Sequence, residues 1–227
     1  MFGEHSVLRG GQSIVLAINK RIHVSLEPRA DKLISINSCL GTFEISLENI
    51  DVQPPFQYVL QALKNYPPSF GLNISIVSEM SPTMGLGTSA AVVVALIAGL
   101  ITLANDDINQ LFSKALQVVR QIQGIGSGAD VMASIKGGAG LFQNRQYQPL
   151  TLLIELFATY FGKKIPTAEV VQYVAKRFID YAELLKNLDM ANNAITKEAA
   201  KSLDNAQRLG DLFNISSGLM GAFGVHT

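Results

Sequence analysis

The chain has 227 residues, 48% of them apolar, and 18 Lys plus Arg balance 18 Asp plus Glu, so its formal net charge is zero. With only 16% charged residues it is too apolar for a solvated disordered chain, and its length promises one large domain or two small ones around a substantial core. A neutral balance without a basic cluster argues against a nucleic-acid partner, because counterion release needs concentrated Lys and Arg. Cys39 is the single cysteine, which excludes an internal disulfide or a Cys-rich zinc site and favours a reducing, cytoplasmic setting. The first residues lack the basic-then-apolar pattern of a secretory signal. The longest apolar run, residues 90–104, is interrupted by Gly99 and Thr102 and falls short of the roughly 20 residues of a membrane span, so a buried helix is expected there.

In chain order, residues 12–27 are rich in Ile, Val and Leu and alternate around Ile22, Val24 and Leu26, which predicts strands on a half-buried sheet. Two more strands are expected at residues 33–36 and 42–47. After Pro54-Pro55, the apolar positions Phe56, Val59, Leu60 and Leu63 follow helical spacing. Leu72, Ile74 and Ile76 predict a strand that runs into a glycine-rich segment, followed by the apolar helix from Ala90. A helix is expected over 109–123, then a loop around Asp130 opened by Gly124, Gly126 and Gly128 and closed by Gly137-Gly138. Residues 152–159 read as a strand, and helical signals dominate from Thr167, which would cap a helix with Glu169 in its first turn. Strands first and helices last give an α+β class with a boundary near residue 150.

The sequence Gly85-Leu86-Gly87-Thr88-Ser89-Ala90 between a strand and an apolar helix is a layout that suits a phosphate. Glycines let the backbone approach an anion, the first helical amides and the helix dipole face it, and the hydroxyls of Thr88 and Ser89 can reach a phosphate oxygen or Mg²⁺. No Lys follows Gly87, so this is not a Walker loop. A plain glycine turn with Thr88 and Ser89 as N-cap explains the same residues.

With Pro82 upstream, this segment resembles the P-x-x-x-G-L-G-S-S-A-A motif of the GHMP kinases. Three more segments fall in the family's order: Gly3-Glu4-His5-Ser6-Val7-Leu8, similar to the G-E-H-A-V-V form found in mevalonate kinases; Gly126-Ser127-Gly128-Ala129-Asp130, similar to P-S-G-x-D; and Ile165-Pro166-Thr167-Ala168-Glu169-Val170, similar to a loop and helix start in the second domain. The resemblance implies the two-domain GHMP kinase fold: a ribosomal protein S5 domain 2-like, ATP-binding domain over residues 1–150 and an incomplete ferredoxin-like domain over 151–227. It implies an ATP- and Mg²⁺-dependent phosphotransferase acting on a small-molecule alcohol, the 5-hydroxyl of (R)-mevalonate first among them, in isoprenoid biosynthesis. Asp130 would be the catalytic base. Gly85, Leu86, Gly87, Thr88, Ser89 and Ala90 would hold the nucleotide, Ser89 the metal, and Glu4, His5 and Thr167 the acceptor. No membrane or nucleic-acid partner is expected, and a homodimer stays open.

The chain departs from the family pattern at four places. The family's leading lysine has no counterpart before Gly3, and the glutamate expected eleven residues before the base falls on Val119. A histidine expected four residues after that glutamate falls on Gln123, and the chain stops after a segment, residues 218–225, that precedes the family's third glycine-rich motif. A truncated chain is therefore expected. The stretch from Gln123 to Val131 resembles Q-G-x-G-S-G-x-D-V of some phosphomevalonate kinases, which keeps that enzyme as an alternative. From a different class, a catalytically inactive nucleotide- or metabolite-binding homologue is the other alternative.

Overall fold

The computed structural model describes residues 2–160, 162 and 167–225. In chain order the elements are β1 (Ser13–Leu16), β2 (Ile22–Arg29), β3 (Leu33–Ser38), β4 (Gly41–Ser46), α1 (Gln57–Asn65), β5 (Gly71–Ser78), α2 (Thr88–Ala104) and α3 (Leu111–Gln123). They continue with α4 (Ala129–Lys136), β6 (Ala139–Gln143), β7 (Gln146–Leu150), α5 (Thr167–Arg177), α6 (Ala182–Ala200) and α7 (Ala206–Phe223), giving the α+β mixture that the pattern predicts. Short 3₁₀ turns, Ser6–Arg9 and Ile108–Gln110, precede β1 and α3. The chain divides into two compact units, one of Asn19–Gly126 and the other of Met1–Ile18 with Ser127–Thr227.

In the Asn19–Gly126 unit four strands form one sheet in the order β2-β5-β3-β4, with β3 and β5 parallel and the other pairs antiparallel. The central strands bury Ile34, Ile36, Leu72 and Ile74, each at most 1% exposed. Burial of such a side chain is worth about 1.5–3 kcal/mol, so these rows hold the sheet against its helices. The packing of α2 on β2 and of α1 and α3 on α2 follows from their apolar stripes. Gly99, inside α2, marks the closest approach: a Cβ there would stand 2.6 Å from Leu26 Cδ1.

In the other unit β1, β6 and β7 make an antiparallel sheet in the order β1-β6-β7. Phe2, Ile14, Ile195, Ala199, Leu203 and Leu209 form its core. A second cluster gathers Val174, Phe178 and Phe223. In the β6–β7 hairpin, a Cβ at Gly140 would overlap the ring of Tyr147, whose hydroxyl donates to the Gly137 carbonyl at 3.0 Å.

Residues 12–27 hold the expected strands, β1 and most of β2. Two expectations are corrected. Residues 152–159 form no strand: they alternate inward and outward, with Leu152, Ile154 and Leu156 on the core, but among the described residues no strand pairs with them in a ladder. Asp130 stands in the first turn of α4, not in a loop, because Gly128 ends the glycine-rich turn and Ala129 starts the helix.

Replacing Gly99 by Val is expected to force α2 off β2, lowering stability by about 1–3 kcal/mol, which thermal unfolding would register as a fall of several degrees in Tm.

Candidate functional site

The glycine-rich segment lies in the Asn19–Gly126 unit. Gly85 and Gly87 have φ of 73° and 74°, the left-handed region open to glycine. Gly87 is the N-cap residue of α2 and makes no side-chain cap, so Thr88 and Ser89 are the first helical residues rather than its cap. The Ala91 amide bonds the Gly87 carbonyl at 3.0 Å, and the helical ladder begins there. Amides up to Ala90 precede that ladder, at the positive end of a 17-residue helix. Thr88 is buried and Ser89 half-buried.

The other sequence-predicted residues, Glu4, His5, Asp130 and Thr167, lie in the second unit. Gly3, at φ 82°, is threaded where a Cβ would overlap the Gln12 carbonyl, so the segment can start only with glycine. His5 has φ 64° and ψ −52°, and the Ser6 amide donates to the Glu4 carbonyl at 2.7 Å. This is the rare positive-φ γ-turn, whose strain for a residue with a side chain is about 1–3 kcal/mol. It presents the His5 ring, which stacks on Phe223 with centroids 5.7 Å apart.

Three residues of α6 hold this turn, none of them singled out by the sequence. Asp189 accepts two hydrogen bonds from Arg9, at 2.5 and 2.6 Å. Asn193 Oδ1 accepts the Gln12 amide at 2.9 Å. Asn192, fully buried, donates from Nδ2 to the Glu4 carbonyl at 2.7 Å and to Ser6 Oγ at 3.1 Å. Its Oδ1 is buried without a hydrogen-bond partner among the described residues, a state that costs about 1–3 kcal/mol. A pair of asparagines in a helical mixture is the one sequence signal, and its usual meaning is solvent exposure.

Burial lowers the His5 pKa below 6.5, with Arg9 acting in the same sense and Glu4 and Asp189 against it. The ring is therefore neutral at pH 7, with one nitrogen to donate and one to accept. Asp130 keeps an exposed edge, yet the surrounding protein raises its pKa above the usual carboxylate value, partly offset by a 2.9 Å hydrogen bond from the Val131 amide to Oδ1. Thr167 opens α5 and is exposed, while Ile165 and Pro166 of the same segment lie outside the described residues.

For Mg²⁺ the residues present do not fit a protein-built centre. Among the described residues no three His, Cys, Asp or Glu side chains could hold a metal ion. The α3 position where the family resemblance puts a glutamate is Val119, 1% exposed on the apolar face with Ala115, Leu116 and Val118. No helix of the described residues is long and apolar enough to cross a membrane.

Residues 56–138 match the family model described as the GHMP kinases N terminal domain. The chain is similar to the mevalonate kinase of Archaeoglobus fulgidus, 36% identical over 99% of this chain and 77% of that protein. The mevalonate kinase of Pyrococcus furiosus is 30% identical over all of this chain and 76% of its own length. Among solved structures, the Methanococcus jannaschii mevalonate kinase superposes with a TM-score of 0.79 at 23% identity, covering 100% of this chain and 77% of that one. Lactococcus lactis galactokinase complexed with galactose superposes with a TM-score of 0.75 at 19% identity, covering 97% and 72%.

His5 is expected to titrate below 6.5 in an NMR pH series, its imidazole signal assigned through His5→Gln. Because the folded pKa is the lower one, His5 supports the fold above pH 6.5, and that support is lost as pH falls through the folded value. The acid fall in Tm is accordingly expected to be shallower in His5→Gln.

Proposed function

The chain belongs to the GHMP kinase family, and from that premise we propose that it transfers the γ-phosphoryl group of ATP to the 5-hydroxyl of (R)-mevalonate. The observation that carries the acceptor is the 36% identity to a mevalonate kinase along 99% of the chain.

In this reading the amides of Gly85 to Ala90 hold the nucleotide phosphates at the start of α2, where glycines permit close approach. Asp130 accepts the hydroxyl proton as the acceptor oxygen bonds to the γ-phosphorus and the bond to the β-phosphate oxygen breaks, releasing ADP. Its raised pKa makes it a better proton acceptor than an ordinary aspartate. Neutral His5 donates a hydrogen bond to the acceptor, with Glu4 and Thr167 completing that side. Catalysis is then mostly positioning, and each named group acts by holding or receiving rather than by forming a covalent intermediate. A divalent ion would arrive on the nucleotide phosphates, with the Ser89 hydroxyl as the protein's donor. The division at residue 150 into an ATP-binding part and a partial C-terminal domain belongs to the same reading, as does a cytoplasmic location, which suits the exposed, unpaired Cys39.

Coupled detection of ADP with mevalonate, phosphomevalonate, galactose and homoserine offered in parallel tests the acceptor. Turnover with mevalonate is expected; turnover with another alcohol alone, or with none, overturns the proposal. His5→Ala is expected to raise the KM for mevalonate.

Asp130→Asn is expected to lower kcat about 100- to 10,000-fold with nucleotide binding retained. The variant's Tm at pH 7 is expected to match or exceed the parent's. The folded state binds the Asp130 proton more tightly than the unfolded chain does, so the ionised carboxylate weakens the fold above the unfolded pKa and its removal does no harm.

A further inference from the structure

Asp189, Asn192 and Asn193 stand at i, i+3 and i+4 on α6, which puts them on one face of the helix. All three reach the segment from Glu4 to Gln12, and the middle one holds the residues on either side of His5. Asn192 Nδ2 bonds the Glu4 carbonyl on one side of His5 and Ser6 Oγ on the other. The Glu4 carbonyl is the same atom that closes the γ-turn through the Ser6 amide. We propose that Asn192 is a positioning residue for the acceptor side of the site, holding the main chain around His5 in its strained turn and thereby fixing where the imidazole points. The proposal rests on His5 facing the acceptor, as in the reading above.

Fold stability does not account for this side chain. A fully buried amide with one satisfied end is a poorer core residue than an aliphatic of similar size, because its Oδ1 has lost water without gaining a partner among the described residues. What the amide supplies and a leucine cannot is a pair of directed donors at a place where the backbone would otherwise relax to negative φ. The positions of Arg9 on Asp189 and of the Gln12 amide on Asn193 keep the rest of the segment on the helix, so loss of Asn192 frees the turn rather than the whole segment.

The test compares Asn192→Leu and Asn192→Ser with the parent chain. The expected result is a rise of about tenfold or more in the KM for mevalonate with the KM for ATP within twofold, since the nucleotide segment is not touched. In the same variants the His5 titration, read by NMR, is expected to move up toward 6.5 as the ring leaves its stack on Phe223. The charged groups that act on that ring, Glu4, Arg9 and Asp189, are unaltered by either substitution. Both KM values moving together, or an unmoved His5 titration, overturns the proposal. Failure of both variants to unfold cooperatively overturns it as well, since Asn192 would then be a residue of fold stability. If the parent turns over no acceptor, the functional reading fails by itself and the His5 titration still decides this proposal.

Discussion

The Glu4 carbonyl oxygen accepts two donors at 2.7 Å, the Ser6 amide from within the turn and Asn192 Nδ2 from α6. These two hydrogen bonds fix how the segment around His5 lies on α6. One donor bends the backbone to a positive φ at His5, and the other ties the bent backbone to a helix that enters the core through Ile195 and Ala199 on the same face as Asn192. A strained turn persists only where its surroundings outweigh the strain. Here the surroundings are a glycine that admits no side chain before the turn and a row of polar groups on α6 beside it.

A second theme joins the two units without any contact being needed between them. Helices α2 and α4 both start after a left-handed glycine, Gly87 and Gly128, and neither N-cap residue provides a side-chain cap. A capped helix spends its first amides on its own side chains. In α4 the Ser127 Oγ and Asp130 Oδ1 accept the Ala129 and Val131 amides, whereas α2 begins with Thr88 and Ser89 and no side-chain cap at Gly87.

How much of this the sequence disclosed depended on how local each signal was. The alternation at Ile22, Val24 and Leu26 and the spacing at Val59, Leu60 and Leu63 place β2 and α1 because both patterns are set by the nearest layer of packing. Residues 152–159 carry the same alternation and make no strand, since a ladder needs a neighbour that periodicity cannot supply. The hairpin β6–β7 escaped notice because Gly140 and Pro149 are poor strand formers held there by pairing. For the candidate site, the glycine and motif residues were legible, while Asn192 was not. Its partners lie more than 180 positions away, and nothing local distinguishes a buried asparagine from an exposed one.

The hairpin has a further consequence for how this chain can change over time. Tyr147 lies across the space above Gly140 and reaches the Gly137 carbonyl at the end of α4, so ring and empty position fit as one object. Any side chain at 140 displaces the ring, and loss of the ring leaves a gap over a bare backbone and an unclasped helix end. A side chain at 140 is therefore compatible with this hairpin only beside a smaller residue at 147.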